Sequence, residues 1–176
     1  MYPDIILLNG TGSSGKTSLA KALQERLPVQ YLNFSIDNIL YALPPSDLQR
    51  MIAGESIDRE GYDYGQLTTA YHRSIDAILR SGCKLIIDNA WVNKDELDTL
   101  EELLSGYDIV RVKVKCNLDV CIARELARGD RSIGLAEWEY PLVHKHMRYD
   151  VEVDTSKITP DDAAMYLLDK LTLHPV

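Results

Sequence analysis

The chain has no excess of positive charge. Nineteen lysines and arginines stand against 27 aspartates and glutamates, for a formal net charge of -8 over 176 residues. This disfavours a general nucleic-acid partner or an anionic membrane surface. The acids are spread along the chain, so they do not form an acidic tail. Apolar runs of the ~20 residues needed to span a bilayer are missing, so no membrane anchor is expected. Cysteine is scarce: Cys83, Cys116 and Cys121, all in apolar stretches and none in a C-x-x-C pair. An odd count without a secretory leader points to reduced core thiols in a cytoplasmic protein. Repeats, low-complexity tracts and linkers are absent too, and the length suits a single domain over 1–176.

What is present is Gly10-Thr11-Gly12-Ser13-Ser14-Gly15-Lys16-Thr17, which fits G-x-x-x-x-G-K-[ST] at every fixed position. Glycines let such a loop fold into a concave nest of backbone N–H donors, and the following helix points its positive end at bound phosphate. In this P-loop, Lys16 is expected to reach the β- and γ-phosphates of ATP, and the Thr17 hydroxyl to ligate Mg²⁺. The flanks fit the mechanism. Asp4 to Asn9 is an apolar run of strand length, and Leu19, Leu23 and Leu27 share one face of a helix that Pro28 ends.

The rest alternates strand and helix. Strands are expected at 31–36, 84–88, 108–115 and 150–154. Helices are expected at 38–43, 66–80, 94–105, 118–128 and 136–147, with a last one opened by Thr159-Pro160-Asp161-Asp162. The stretch 44–64 reads as an irregular excursion after Pro44-Pro45. The expected fold is α/β: a three-layer P-loop NTPase with a five-stranded, mostly parallel sheet and a short lid at about 129–136. Ligands bind such sheets at the carboxyl ends of the strands, where the loop, Asp37 and Asp88 all fall.

Asp88 closes an Ile-Ile-Asp strand and is a candidate to orient Mg²⁺ beside Thr17; the simpler alternative is a strand-end cap. Asp37 can cap a helix and can also align an acceptor hydroxyl and take its proton late in a loose transition state, and the two readings are compatible. Arg124 and Arg128 share a helical face, with Arg131 just beyond Gly129-Asp130. They read as a lid that closes guanidinium groups on the triphosphate, against the alternative of a solvated face paired with Glu125. Trp91, Tyr41, Tyr62, Tyr64 and Trp138 are candidates to wall an acceptor pocket, Trp91 and Tyr41 foremost. His144 and His146 lie two apart on an expected helix and diverge, so no zinc site is expected.

These residues resemble the chloramphenicol phosphotransferase family, small P-loop kinases that phosphorylate an alcohol of the antibiotic. The likeness covers nearly the whole chain. It rests on Ile6 to Gly10, Phe34-Ser35-Ile36-Asp37, Ile86-Ile87-Asp88, Arg124 to Arg131, Val143-His144, and Tyr149 to Thr155. It implies an ATP- and Mg²⁺-dependent O-phosphotransferase with Asp37 as catalytic base and Arg128 and Arg131 over the phosphates. Two stretches depart from the family: Asn89 stands where a second acid is expected, and 44–66 matches poorly. The acceptor is thus either an antibiotic or a metabolite such as a nucleotide sugar. A toxin-like or metabolite kinase and a regulatory ATPase acting on a protein partner are the alternatives. No oligomeric state follows from the sequence.

Overall fold

The computed structural model describes residues 2–57, 59–128 and 132–172. Five strands form one sheet in the order β2-β3-β1-β4-β5: β1 (Ile5–Asn9), β2 (Tyr31–Ser35), β3 (Lys84–Asn89), β4 (Ile109–Lys115) and β5 (Val151–Asp154). Every pairing is parallel, where a mostly parallel sheet was expected. The helices are α1 (Lys16–Arg26), α2 (Ile36–Leu40), α3 (Pro45–Ala53), α4 (Tyr64–Arg80), α5 (Lys94–Leu103), α6 (Leu118–Arg128), α7 (Leu135–Glu139) and α8 (Pro160–Thr172).

β1 lies at the centre, and its alternation builds both cores. Ile6 and Leu8 face one side, against Leu19 and Leu23 of α1 and Ala163 and Leu167 of α8. Ile5 and Leu7 face the other, against Tyr71 and Ile75 of α4 and Leu97 and Leu100 of α5. All four β1 side chains are sealed from water, each contributing about 1.5–3 kcal/mol. β4 buries Val110, Val112 and Val114 and leaves the alternate positions partly open, as its alternating sequence implies.

Two expected stretches differ. The 44–64 excursion contains α3: Pro45 stands at a helix start, where its missing N–H costs nothing, so the prolines open a helix. The expected 136–147 helix ends at Glu139: Tyr140 still holds helical backbone, but Pro141 has no N–H with which to continue the ladder. Turns follow, with Leu142 and Val143 N–H both donating to the Glu139 carbonyl. At 159–162 the expected cap is made: Asp162 N–H donates to Thr159 Oγ1 at 3.1 Å.

The strand order reverses at β1, between β3 and β4. The crevice beyond its carboxyl end is therefore the place where such a sheet takes a ligand.

Candidate active site

The Gly10–Thr17 loop joins β1 to α1 in that crevice. A Cβ on Gly10 would lie 2.4 Å from the Val114 carbonyl oxygen, so only glycine lets the loop leave β1 this close to β4. Gly15 and Ser13 hold positive φ, 93° and 60°, the left-handed turns that curl N–H groups inward. Lys16 Nζ donates to the carbonyls of Gly10 at 2.6 Å and Thr11 at 2.9 Å. The hydroxyls of Ser13 and Ser14 are buried without a hydrogen-bond partner. A loop with orphaned hydroxyls and a buried lysine is chemically fitted to an anion.

Neighbouring elements clamp this loop. Thr155, just past β5, donates its hydroxyl to the Ser14 carbonyl at 2.6 Å. Arg124 of α6 donates to the Thr155 carbonyl at 3.0 Å, and a Cβ on Gly15 would lie 3.6 Å from its Nη1. From α7, Glu139 accepts from the Gly12 N–H at 2.5 Å. Thr17 Oγ1 donates to Asp88 Oδ2 at 2.7 Å, and Asn33 Nδ2 to Asp88 Oδ1 at 3.0 Å. Asp88 is thus more than a strand-end cap: it is buried at 3 % exposure against the threonine of the loop.

A cleft of about 1210 Å³ opens in front of the loop. Lys16, Thr17, Asp88, Asp37, Arg124 and Arg128 all line it. Asp37 does not cap its helix. Ser35 takes the N-cap position and donates its N–H to Asn38 Oδ1, which leaves Asp37 on the cleft wall. Tyr41, Tyr64 and Trp138 also line the cleft, while Tyr62 is exposed. Partial burial raises the pKa of the Tyr64 phenol, and the charges of Glu96, Glu139 and Asp37 add to that shift.

Trp91 is a correction: it is 2 % exposed and packed in the core between β1 and α4, so its ring does not wall an acceptor pocket. Two residues past the end of β3, the chain has already turned inward, and the Trp91 N–H donates to Asn9 Oδ1. Glu125 is also not a surface partner for the arginines. It is buried and accepts from the N–H groups of Gly134 and Ala136, at the start of α7. Arg131, with residues 129–130 of the expected lid, lies outside the described residues. Cys83 is exposed rather than in the core. Cys116 and Cys121 are buried, and burial with the neighbouring Cys116 pushes the Cys121 thiol up to about 12.

Residues 3–172 match the family described as chloramphenicol phosphotransferase-like protein. The chain belongs to that family. A Mycobacterium tuberculosis protein (strain H37Rv) named for O-phosphotransferase activity is 32 % identical over 97 % of this chain and 83 % of its own length. The fold is shared more widely. A gluconokinase from Sinorhizobium meliloti superposes with a TM-score of 0.66 at 18 % identity, over 97 % of this chain and 93 % of its own. The Mycobacterium tuberculosis APS kinase, solved with AMPPNP and APS, gives 0.68 at 13 % identity, over 97 % and 98 %. This chloramphenicol phosphotransferase-like chain is therefore a phosphotransferase-family protein on a P-loop kinase fold.

Within the family frame, residues that the one-dimensional reading did not single out now stand around the cleft. Glu139 and Thr155 grip the loop from 127 and 141 residues away. His72 and Glu96 line the cleft from α4 and α5. Ser132 donates its hydroxyl to the Ile52 carbonyl of α3 at 2.8 Å, so the segment leading to α7 reaches across to the missed helix. Among the described residues, no helix is long and apolar enough to cross a membrane.

Proposed function

We propose that the chain is a small-molecule kinase that moves the γ-phosphoryl group of ATP to a hydroxyl of its acceptor. The observation that carries this reading is the placement of Asp37 in the same cleft as Lys16, Thr17 and Asp88. A regulatory NTPase has no acceptor to align and no use for a carboxylate opposite the phosphate loop.

In this reading, the N–H groups of Gly10 to Thr17 cradle the β- and γ-phosphates. Lys16 leaves its loop carbonyls to neutralise the transferred group. Arg124 and Arg128, with Arg131 from the adjoining lid at about 129–136, supply the remaining positive charge. The acceptor hydroxyl approaches from the opposite wall, where Asp37 orients it and takes its proton late.

The donor set fits a hard divalent cation, since the Thr17 hydroxyl and Asp88 carboxylate are oxygen ligands 2.7 Å apart. Among the described residues no group of three His, Cys, Asp or Glu could hold a metal ion. Mg²⁺ would therefore take its other oxygens from phosphate and water, and would supply neutralisation of phosphate charge. We place the enzyme in the cytoplasm as one kinase domain.

The test is transfer of label from γ-labelled ATP to a panel of hydroxylated antibiotics, chloramphenicol among them, and metabolites. A labelled small product is expected with the wild type. Asp37→Asn should bind ATP normally and slow transfer on the order of a hundredfold or more. Full-rate transfer by that variant would remove Asp37 from the chemistry. ATP hydrolysis with no labelled acceptor would favour a regulatory ATPase.

A further inference from the structure

The described cations of the cleft lie on one side, together with the acids Asp88 and Glu139. Its lysine and arginines, Lys16, Arg124 and Arg128, stand at the phosphate loop or on α6. The wall made by α2, α4 and α5 contributes Asp37, Asp95 and Glu96, and no lysine or arginine among the described lining residues. The threonine hydroxyls of that wall are turned the same way. Thr68, Thr69 and Thr99 each donate to the carbonyl four residues earlier, at 2.8 to 2.9 Å. A hydroxyl whose proton is already given can only accept, so these oxygens offer lone pairs to the cleft.

The same wall holds a pair that nothing in the phosphate chemistry uses. His72 Nε2 and Glu96 Oε1 lie 3.6 Å apart, inside ion-pair reach but beyond a hydrogen bond. Both atoms are sealed from water and neither has a hydrogen-bond partner. The His72 side chain is 7 % exposed, and that of Glu96 19 %. Because Oε1 is sealed, the exposure of Glu96 belongs to the rest of its side chain. Orphaned polar atoms facing each other in a pocket wall are costly unless something completes them. Closing the gap by a few tenths of an ångström would lock the carboxylate against the imidazole.

We propose that Glu96, held by His72, anchors a second hydroxyl or an ammonium group of the acceptor, which is a neutral or cationic polyhydroxylated molecule and not an acid. The assignment rests on the kinase reading above and narrows it. Glu96 and the threonine oxygens all need donors, which hydroxyl and amino groups provide and carboxylates and phosphates do not. An anionic acceptor, a nucleotide sugar included, would set its charge beside Asp37, Asp95 and Glu96, on a wall that carries no lysine or arginine among the described lining residues. Glu96 contacts the acceptor; His72 is a positioning residue that fixes Glu96.

The test measures transfer from labelled ATP to acceptors matched in skeleton and differing in charge: glucose, glucosamine and gluconate, with myo-inositol, chloramphenicol and shikimate as a second set. Transfer is expected to neutral or amino-bearing members and not to gluconate or shikimate. On the best acceptor, Glu96→Gln should raise the acceptor KM about tenfold, with kcat and the KM for ATP nearly unchanged. His72→Ala should move the same parameter, and His72→Gln, which keeps an N–H toward Glu96, should restore part of it. Faster transfer to the acids, or an acceptor KM indifferent to Glu96→Gln in a variant that melts like the wild type, overturns the inference and leaves the kinase standing. ATP hydrolysis without transfer to any member overturns the kinase reading and this inference together.

Discussion

His144 Nδ1 lies 2.7 Å from the Tyr149 hydroxyl, which itself accepts from Asn9 Nδ2 at 2.9 Å. The tyrosine proton is then available to a neutral imidazole. Burial, with the nearby charges of Lys113 and Lys16, lowers the His144 pKa from 6.5 to about 4. The folded protein therefore keeps this ring neutral where the unfolded chain would protonate it. Stability from this group is complete above about pH 6.5 and is lost as pH falls toward 4, because the unfolded state then binds the extra proton. Thermal midpoints measured from pH 7 to pH 4.5 should fall for the wild type and fall less for His144→Gln, which keeps an acceptor for Tyr149. Equal slopes would remove His144 from the acid sensitivity.

At the scale of elements, α7 is five residues long and holds its place by a borrowed cap. The buried Glu125 carboxylate accepts from Gly134 at 2.9 Å and Ala136 at 2.8 Å, donors that a short helix cannot satisfy internally. Glu125→Ala leaves both N–H groups without that acceptor, at a cost of about 1–3 kcal/mol. Amide exchange at 134–139 should accelerate while that of β1 stays slow, and unchanged exchange would show that α7 stands without the cap. The elements legible in the sequence were those with local signals: the apolar run of β1, the glycine loop and the Thr159-Pro160 cap. α3 was missed because Pro44-Pro45 was read as a stop when it serves as a start. The Glu139 grip on Gly12 was invisible because 127 residues separate its halves. His72 and Glu96 meet only because α4 and α5 pack on the same side of the sheet. That Asp37 and Asp88 would come to the carboxyl edge of the sheet was legible because a strand end is a local feature. Trp91 was misplaced because the inward turn that buries it is not.

For the whole molecule, a ligand that binds only the folded state stabilises it by mass action. ATP with Mg²⁺ at a hundredfold over its Kd should add about 2.7 kcal/mol. Thermal unfolding with and without the nucleotide reads this directly. The gain should shrink with EDTA and vanish in Lys16→Ala, whose loop has lost its buried cation; a full shift in that variant would take the P-loop out of nucleotide binding.

The central position of β1 also dictates when the protein can take shape. β1 pairs with neither its sequence neighbour β2 nor anything else until β3 arrives, with Ile5 opposite Leu85, and its other edge waits for Ile109. On a ribosome adding about 5–20 residues per second, the segment spends roughly 4–16 s without its first partner. Through that interval the chain carries Ile5 to Leu8 as an unpaired apolar strand, the feature that invites aggregation. Fragments ending before about residue 115 should therefore precipitate or engage chaperones rather than fold. The strand that later delivers the phosphate loop is thus the one most in need of protection during synthesis.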